Sequence, residues 1–183
     1  MERGAQHGHN GRVLADRGGV TEEETRRRFP CDELVDDPAL EVWRGVDVAA
    51  RADAVWPWVS QLRVAPYSYD WVDNLGRRSP QLLLDLPEPR VGDAFTSVGG
   101  RPQGRIVSLD PPHQLTATIL GAYLSYVLVP EGSQPTRLLL KVVMGATRFG
   151  VVWSVGDLVM ARRQLLNLKR LAEREASRGV AGG

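Results

Sequence analysis

Carboxylate, amide and guanidinium groups are concentrated in one short segment of the sequence. Asp70, Asp73 and Asn74 stand at positions i, i+3 and i+4, so on a helix they would project from one face. Side chains placed in this way could share a proton or hold a ligand rich in hydrogen-bond donors. Alternatively, the carboxylates pair with Arg77 and Arg78 and only fix the segment. We favour this second interpretation because exposed helical ion pairs are common.

The same segment carries a high density of aromatic rings. Five of the nine Trp and Tyr residues lie between Trp56 and Trp71. Large rings beside polar and charged side chains are typical of a small-molecule pocket. Tyr67, Tyr69 and Trp71 could equally be packing residues that anchor a short helix on a sheet, and the sequence leaves both interpretations open.

Two arginines and one tyrosine complete the set of candidates. The strand phase that buries Val46 and Val48 also turns Arg44 inward, where a guanidinium suits a carboxylate, a phosphate or a polarised carbonyl. The alternative, which we favour slightly for both Arg44 and Arg148, is a side chain that extends to the rim. Tyr123 and Tyr126 fall on opposite faces of one strand, so at most one of them faces inward. The candidate ligand-binding residues are Arg44, Tyr67, Tyr69, Asp70, Trp71, Asn74, Tyr126 and Arg148, with Asp70 and Arg148 as weak catalytic candidates.

Established catalytic signatures are missing from the sequence. It contains no Gly-x-Ser-x-Gly, His-Glu-x-x-His or phosphate-binding glycine motif. His7 and His9 lie in a polar N-terminal stretch and His113 in a Pro-Pro turn, so we predict no metal site and no cofactor. Cys31 is the single cysteine, and we expect an unreactive thiol.

The amino-acid composition limits the classes of protein to which this chain can belong. With 183 residues and 43% hydrophobic content, the chain can bury one core. Its 23 basic and 22 acidic residues give a net charge of +1, which favours neither nucleic acid nor an anionic membrane as a global partner. We expect a cytoplasmic protein without integral membrane association, since no signal-peptide or membrane-spanning pattern occurs. The pairs Arg162-Arg163 and Lys169-Arg170 are interpreted as the solvated face of a helix.

The hydrophobic periodicity predicts one folded region between two tails. We expect disorder in a polar N-terminal tail, 1–30, within which Thr21 begins a capping box and a short helix; the folded domain spans 31–176, and 177–183 is a disordered tail. A strand at 40–48 is followed by two short helices. The first spans 52–62, and the second is capped by Ser68 and ends at Gly76. Strands follow at 93–98, 104–109, 114–120, 123–129 and 137–144, then one long helix after Gly150.

The order of these signals resembles a known superfamily. The segments that carry this resemblance include Val46-Asp-Val-Ala-Ala50 running into Val55-Trp-Pro-Trp58, the run Tyr67-Ser-Tyr-Asp-Trp71, and the helix Gly156–Lys169. They resemble the START-like, polyketide cyclase/dehydrase and lipid-transport superfamily, SRPBCC. The resemblance implies an α+β helix-grip fold, in which a curved antiparallel sheet of about six to seven strands surrounds a long C-terminal helix, with two short helices after the first strand.

This resemblance also implies a function. The leading hypothesis is that a hydrophobic or amphipathic molecule, such as a polyketide, a lipid or an isoprenoid, binds in a cavity between the sheet and the C-terminal helix. The alternative is a cyclase or dehydratase in which an arginine polarises a carbonyl and a Tyr or Asp relays a proton. A third possibility is a non-catalytic regulatory or interaction protein. The recognisable motifs are structural, so no catalytic residue of the family is carried over to this chain.

Overall fold

The computed structural model describes residues 14–132, 135–146 and 150–181, without the side chains of 14–16, 72–73, 150–159 and 179–181. Six strands form one sheet, in the order β1-β2-β8-β7-β6-β5. The strands are β1 Leu14–Gly18, β2 Pro38–Val48, β3 Thr96–Val98, β4 Arg101–Gln103, β5 Arg105–Asp110, β6 Gln114–Ile119, β7 Ala122–Pro130 and β8 Thr136–Gly145. The helices are α1 Glu22–Arg26, α2 Ala52–Ser60, α3 Asp70–Asp73 and α4 Gly150–Ala181, with 3₁₀ helices Pro30–Leu34 and Gln61–Arg63.

The sheet and the long helix confirm the predicted α+β helix-grip architecture. Neighbouring strands from β2 to β5 are antiparallel, whereas β1 lies parallel to β2 at the edge. The strand predicted at 93–98 is reduced to β3, which leaves the main sheet and pairs with β4. Gly99 and Gly100 both have positive φ, and this permits the tight turn that joins β3 to β4.

The folded region is longer at both ends than the sequence predicted. Residues 14–18, which we expected to be disordered, form β1. Gly18 leaves room there for the Arg44 side chain, since a Cβ at this position would lie 2.8 Å from Cδ of Arg44 and would require that side chain to shift. At the other end the backbone of α4 stays helical to Ala181, although its predicted end was residue 176.

Each face of the sheet has its own core. The inner face packs against α2 and α4, and three leucines of α4 (Leu165, Leu168 and Leu171) are fully buried there. The outer face is covered by the 3₁₀ helix Pro30–Leu34 and by Phe29, which pack against Trp43, Leu139 and Val143. Burial raises the pKa of the Cys31 thiol in this outer core to about 11, so the thiol is protonated at neutral pH.

The capping box predicted at Thr21 is present and connects α1 to the sheet. The backbone N–H of Glu24 donates to Oγ1 of Thr21, and the Glu24 carboxylate accepts from the backbone N–H of Thr21. The same carboxylate accepts from Nε of Arg137 at 2.6 Å. This hydrogen bond with Arg137 holds the pKa of Glu24 below its ordinary value of 4.5.

The pairing of Glu24 with Arg137 predicts a pH-dependent stability. Because the pKa of Glu24 is lower in the folded state, its contribution is complete above pH 4.5 and is lost as the pH falls through the folded pKa. We expect Glu24→Gln to lower the free energy of unfolding by about 2 kcal/mol at pH 7 and by much less at pH 3. Urea unfolding at both pH values measures this. The exposed Glu23→Gln is the control, and equal losses at both pH values would contradict the assignment.

Candidate functional site

The candidate site lies on the inner face of the sheet, where cross-strand pairing aligns side chains in rows. Residues paired directly across antiparallel strands point to the same face. One row runs across β2, β8, β7 and β6 through Arg44, Leu140, Tyr126 and Leu115. The next row, toward the end of β8 from which the chain leads into α4, contains Val42, Val142, Leu124 and Ala117.

Tyr126 joins the first row to α4. Its side chain is buried in the inner core, and its hydroxyl donates to Oε1 of Gln164. Nε2 of Gln164 in turn donates to the carbonyl of Pro66 at 2.5 Å. Tyr123 instead packs against the outer core, so of the two tyrosines it is Tyr126 that faces inward. Gln164 therefore fixes the distance between helix and sheet at this level.

Arg44 is buried on the inner face, as the strand phase predicted. It is 6% exposed, and its Nη1 donates to the carbonyl of Trp43 at 2.8 Å. The side chain lies against Gly18 of the edge strand, so it does not extend to the rim. A buried guanidinium next to an apolar surface can orient the polar end of an amphipathic molecule.

The second row contains one inner-face side chain that is not completely covered. Val142 lies on β8 between β2 and β7 and packs with the inner core, yet its side chain is only partly buried. On the same strand and face, Leu138 and Leu140 are 0% and 2% exposed. Ile119 at the end of β6 is also only partly buried. Part of the Val142 side chain is therefore accessible, although its row neighbours Val42 and Leu124 are buried. Val46, which pairs with Leu138, is also only partly buried.

Tyr67 belongs to the core rather than to this accessible surface. It is 1% exposed, its ring meets Trp58 edge to face at 6.4 Å, and its hydroxyl accepts from Nε2 of Gln61 at 2.5 Å. Burial raises the pKa of Tyr67 to about 12, so the phenol stays neutral. These contacts favour the packing interpretation for this ring.

Asp70 and Asn74 hold the loop that follows α3. The Asp70 carboxylate accepts from the backbone N–H and the hydroxyl of Ser79 at 2.8 and 2.5 Å. Asn74 donates to the carbonyl of Arg77 at 2.7 Å and accepts from the N–H of Gly99 at 3.0 Å. The interpretation that we favoured from sequence expected Asp70 to pair with Arg77 or Arg78, whereas the partner of its carboxylate in the structure is Ser79.

The remaining candidates lie away from the inner face. Tyr69 is 40% exposed, and the guanidinium of Arg163 lies 5.7 Å from the centre of its ring. Trp71 is 84% exposed. Arg148 lies outside the described residues. The structure thus brings Arg44 and Tyr126 together in one row and separates them from the exposed rings of 69–71.

Two residues important to this geometry were not among the sequence candidates. Gln164 was missed because the periodicity of α4 drew attention to its leucines, although a glutamine next to the buried Leu165 was a signal for a polar contact in the core. Val142 was missed because nothing in a strand of alternating apolar residues distinguishes one valine from the next.

Two surface clefts are present elsewhere in the described part of the chain. One, of about 130 Å³, lies between α2 and the irregular segment 83–89. The other, of about 230 Å³, lies near the start of α2 and includes His113 and Pro135. In the described ranges no group of three His, Cys, Asp or Glu side chains could hold a metal ion. Among these residues no helix has the length and apolar character needed to cross a membrane.

Comparison with known proteins identifies the fold. No family model and no curated protein matches the chain. Similar solved structures include protein MLL2253 from Mesorhizobium loti, with a TM-score of 0.52 and 14% identity over 73% of this chain and 97% of that one. Protein NE0264 from Nitrosomonas europaea has a TM-score of 0.50 and 14% identity over 75% and 96%. At such identities the likeness concerns the fold, and this chain therefore shares its fold with these two proteins.

Proposed function

We propose that this protein binds a hydrophobic or amphipathic small molecule between the inner face of the sheet and α4, and that it is a member of the SRPBCC superfamily. The observation that carries the binding proposal is the accessible apolar surface at Val142. A side chain on an inner strand, on the helix-covered face, would be fully buried if the core were filled at that level. The resemblance of the sequence to that superfamily supports the same location.

The chemistry of the surrounding side chains indicates the class of ligand. The surface around Val142 is apolar, since Val142 pairs with Val42 and Leu124 on the two neighbouring strands. Arg44 lies in the adjoining row. A ligand with an apolar body and one carboxylate or carbonyl group matches this arrangement, since such pockets combine apolar walls with few polar groups.

Binding without a chemical step is the function that these contacts favour. A proton relay needs a donor or base that can reach the ligand. Both carboxylate oxygens of Asp70 already accept hydrogen bonds from Ser79, and the hydroxyl of Tyr126 donates to Gln164. These groups stabilise the site, and their hydrogen bonds are made within the protein rather than to a substrate.

Filling the space at Val142 tests the proposal. We expect anilinonaphthalene sulfonate, an apolar ring system with one anionic group, to bind saturably with increased fluorescence and to be displaced by palmitate. The variant Val142→Phe should weaken this binding at least about ten-fold, because the added ring occupies the ligand's volume, and should leave Tm unchanged or raised.

A matched variant separates this effect from general disturbance of the sheet. Val129 is also partly buried on the same sheet, but it packs against the outer core. We expect Val129→Phe to retain the affinity of the unmodified protein. Equal binding by Val142→Phe and the unmodified protein, or equal loss in both variants, would refute the proposed location.

A further inference from the structure

A second apolar surface lies on the exterior of the protein, around α3 and α4. Trp71 is 84% exposed, Leu75 74% and Leu82 59%. Isolated exposed leucines are ordinary, but a continuous group of large apolar side chains marks a site of interaction. We name this group the Trp71 surface; its members are Tyr69, Trp71, Leu75, Leu82, Leu83, Leu84 and Leu166.

Hydrogen bonds and a ring contact hold the parts of the Trp71 surface together. The guanidinium of Arg163 lies over the ring of Tyr69 at 5.7 Å, and Nδ2 of Asn167 donates to the carbonyl of Tyr67 at 2.8 Å. Nη2 of Arg170 donates to Oε1 of Gln81 at 2.9 Å, directly before the leucines of 82–84. Leu166 is exposed on α4 between Arg163 and Arg170, which make two of these contacts.

The charged groups of this region are mainly cationic. Seven arginines and Lys169 lie in 69–85 and 160–178, against three aspartates, Glu173 and Glu175 in the same segments, and the carboxylate of Asp70 is turned toward Ser79. The arginines are Arg77, Arg78, Arg162, Arg163, Arg170, Arg174 and Arg178. In the N-terminal segment 17–37, by contrast, seven carboxylates stand against four arginines, Arg17, Arg26, Arg27 and Arg28. The net charge of +1 therefore combines a region with an excess of cations and an N-terminal segment with an excess of carboxylates.

We propose that the Trp71 surface docks on the surface of a lipid bilayer that contains anionic lipids. Arginines attract such a surface, each contributing on the order of five-fold in affinity. Trp71 and the leucines can enter the boundary between head groups and acyl chains, where tryptophan is favoured. A second copy of this chain would oppose arginine to arginine, and the grooves of a nucleic acid would not bury the leucines. The proposal replaces the purely solvated role that the sequence suggested for Arg162 and Arg163, and it does not depend on the ligand proposal.

Co-sedimentation with vesicles tests this inference. The full chain should bind vesicles of phosphatidylcholine with 30% phosphatidylglycerol and should bind pure phosphatidylcholine far less. Leu75→Ser should weaken binding roughly ten-fold, since one exposed leucine no longer enters the bilayer. Arg78→Glu with Arg162→Glu should weaken it more than ten-fold, and 0.5 M salt should have a similar effect. Trp71→Phe should remove the blue shift of tryptophan fluorescence that accompanies binding.

Matched variants in the N-terminal segment provide the controls. Leu34 is also exposed, and Arg27 and Arg28 lie next to α1. We expect Leu34→Ser and the double variant Arg27→Glu with Arg28→Glu to bind the anionic vesicles as the unmodified protein does. Failure of the full chain to bind anionic vesicles, or equal losses in the control variants, would overturn the proposal. A dimer in light scattering that Trp71→Ala dissociates would also overturn it, in favour of a second copy.

Discussion

Replacing Lys141 by alanine is expected to lower the free energy of unfolding by roughly 3 kcal/mol. Lys141 is 5% exposed, and its Nζ lies 2.5 Å from Oδ1 of Asp32 and 2.9 Å from Oε1 of Glu41. The ammonium also lies 4.7 Å from the centre of the Trp43 ring. Alanine would leave two largely buried carboxylates facing each other without a cation, and this unpaired charge is the main source of the loss.

The charge state of Lys141 supports this expectation. Burial lowers its pKa, but hydrogen bonds to the carboxylates of Asp32 and Glu41 outweigh burial and hold the pKa above its ordinary value. The ammonium therefore stays charged across the neutral range. Urea unfolding followed by circular dichroism measures the effect. Lys169→Ala is the control, because Lys169 pairs with Glu173 at the surface, and we expect a loss below about 1 kcal/mol. A similarly small loss for Lys141→Ala would contradict the role of the buried pair.

Replacing Leu168 by alanine is expected to lower the free energy of unfolding by about 3 kcal/mol. Leu168 is 0% exposed and belongs to the inner core, in which α4 packs against the sheet. The substitution removes buried apolar volume and leaves a cavity that neighbouring side chains fill only in part.

A leucine on the same helix provides the matched control for Leu168. Leu166 is 40% exposed, so Leu166→Ala makes the same chemical change with little loss of packing, and we expect less than about 0.5 kcal/mol. Thermal unfolding of the two variants side by side measures the difference. Equal losses would mean that α4 is not packed on the inner face at Leu168.

Local patterns in the sequence were sufficient for most of the fold. The capping box at Thr21 depends on residues three apart, and it forms as predicted. The alternation in β8 and the helical period of α4 likewise report on their own segments, because each requires only that one face be buried. Arg44 was placed on the inner face by the same reasoning.

The parts that the sequence did not predict depend on contacts between distant segments. Asp70 finds its partner nine residues later in Ser79, and this contact replaces the helical ion pairs that spacing suggested. β1 forms because β2 offers a free edge and Gly18 leaves room for Arg44. The exposure of Trp71 and the accessibility of Val142 are properties of the assembled fold, whereas composition alone predicted only a pocket lined by aromatic residues.

Native mass spectrometry of the protein purified gently from its own cells tests the central claim of ligand binding most directly. We predict an additional mass of small-molecule size on the folded protein that is released on denaturation and is lost in Val142→Phe but retained in Val129→Phe. An unliganded spectrum for the unmodified protein, together with no saturable binding of anilinonaphthalene sulfonate or palmitate, would contradict the account.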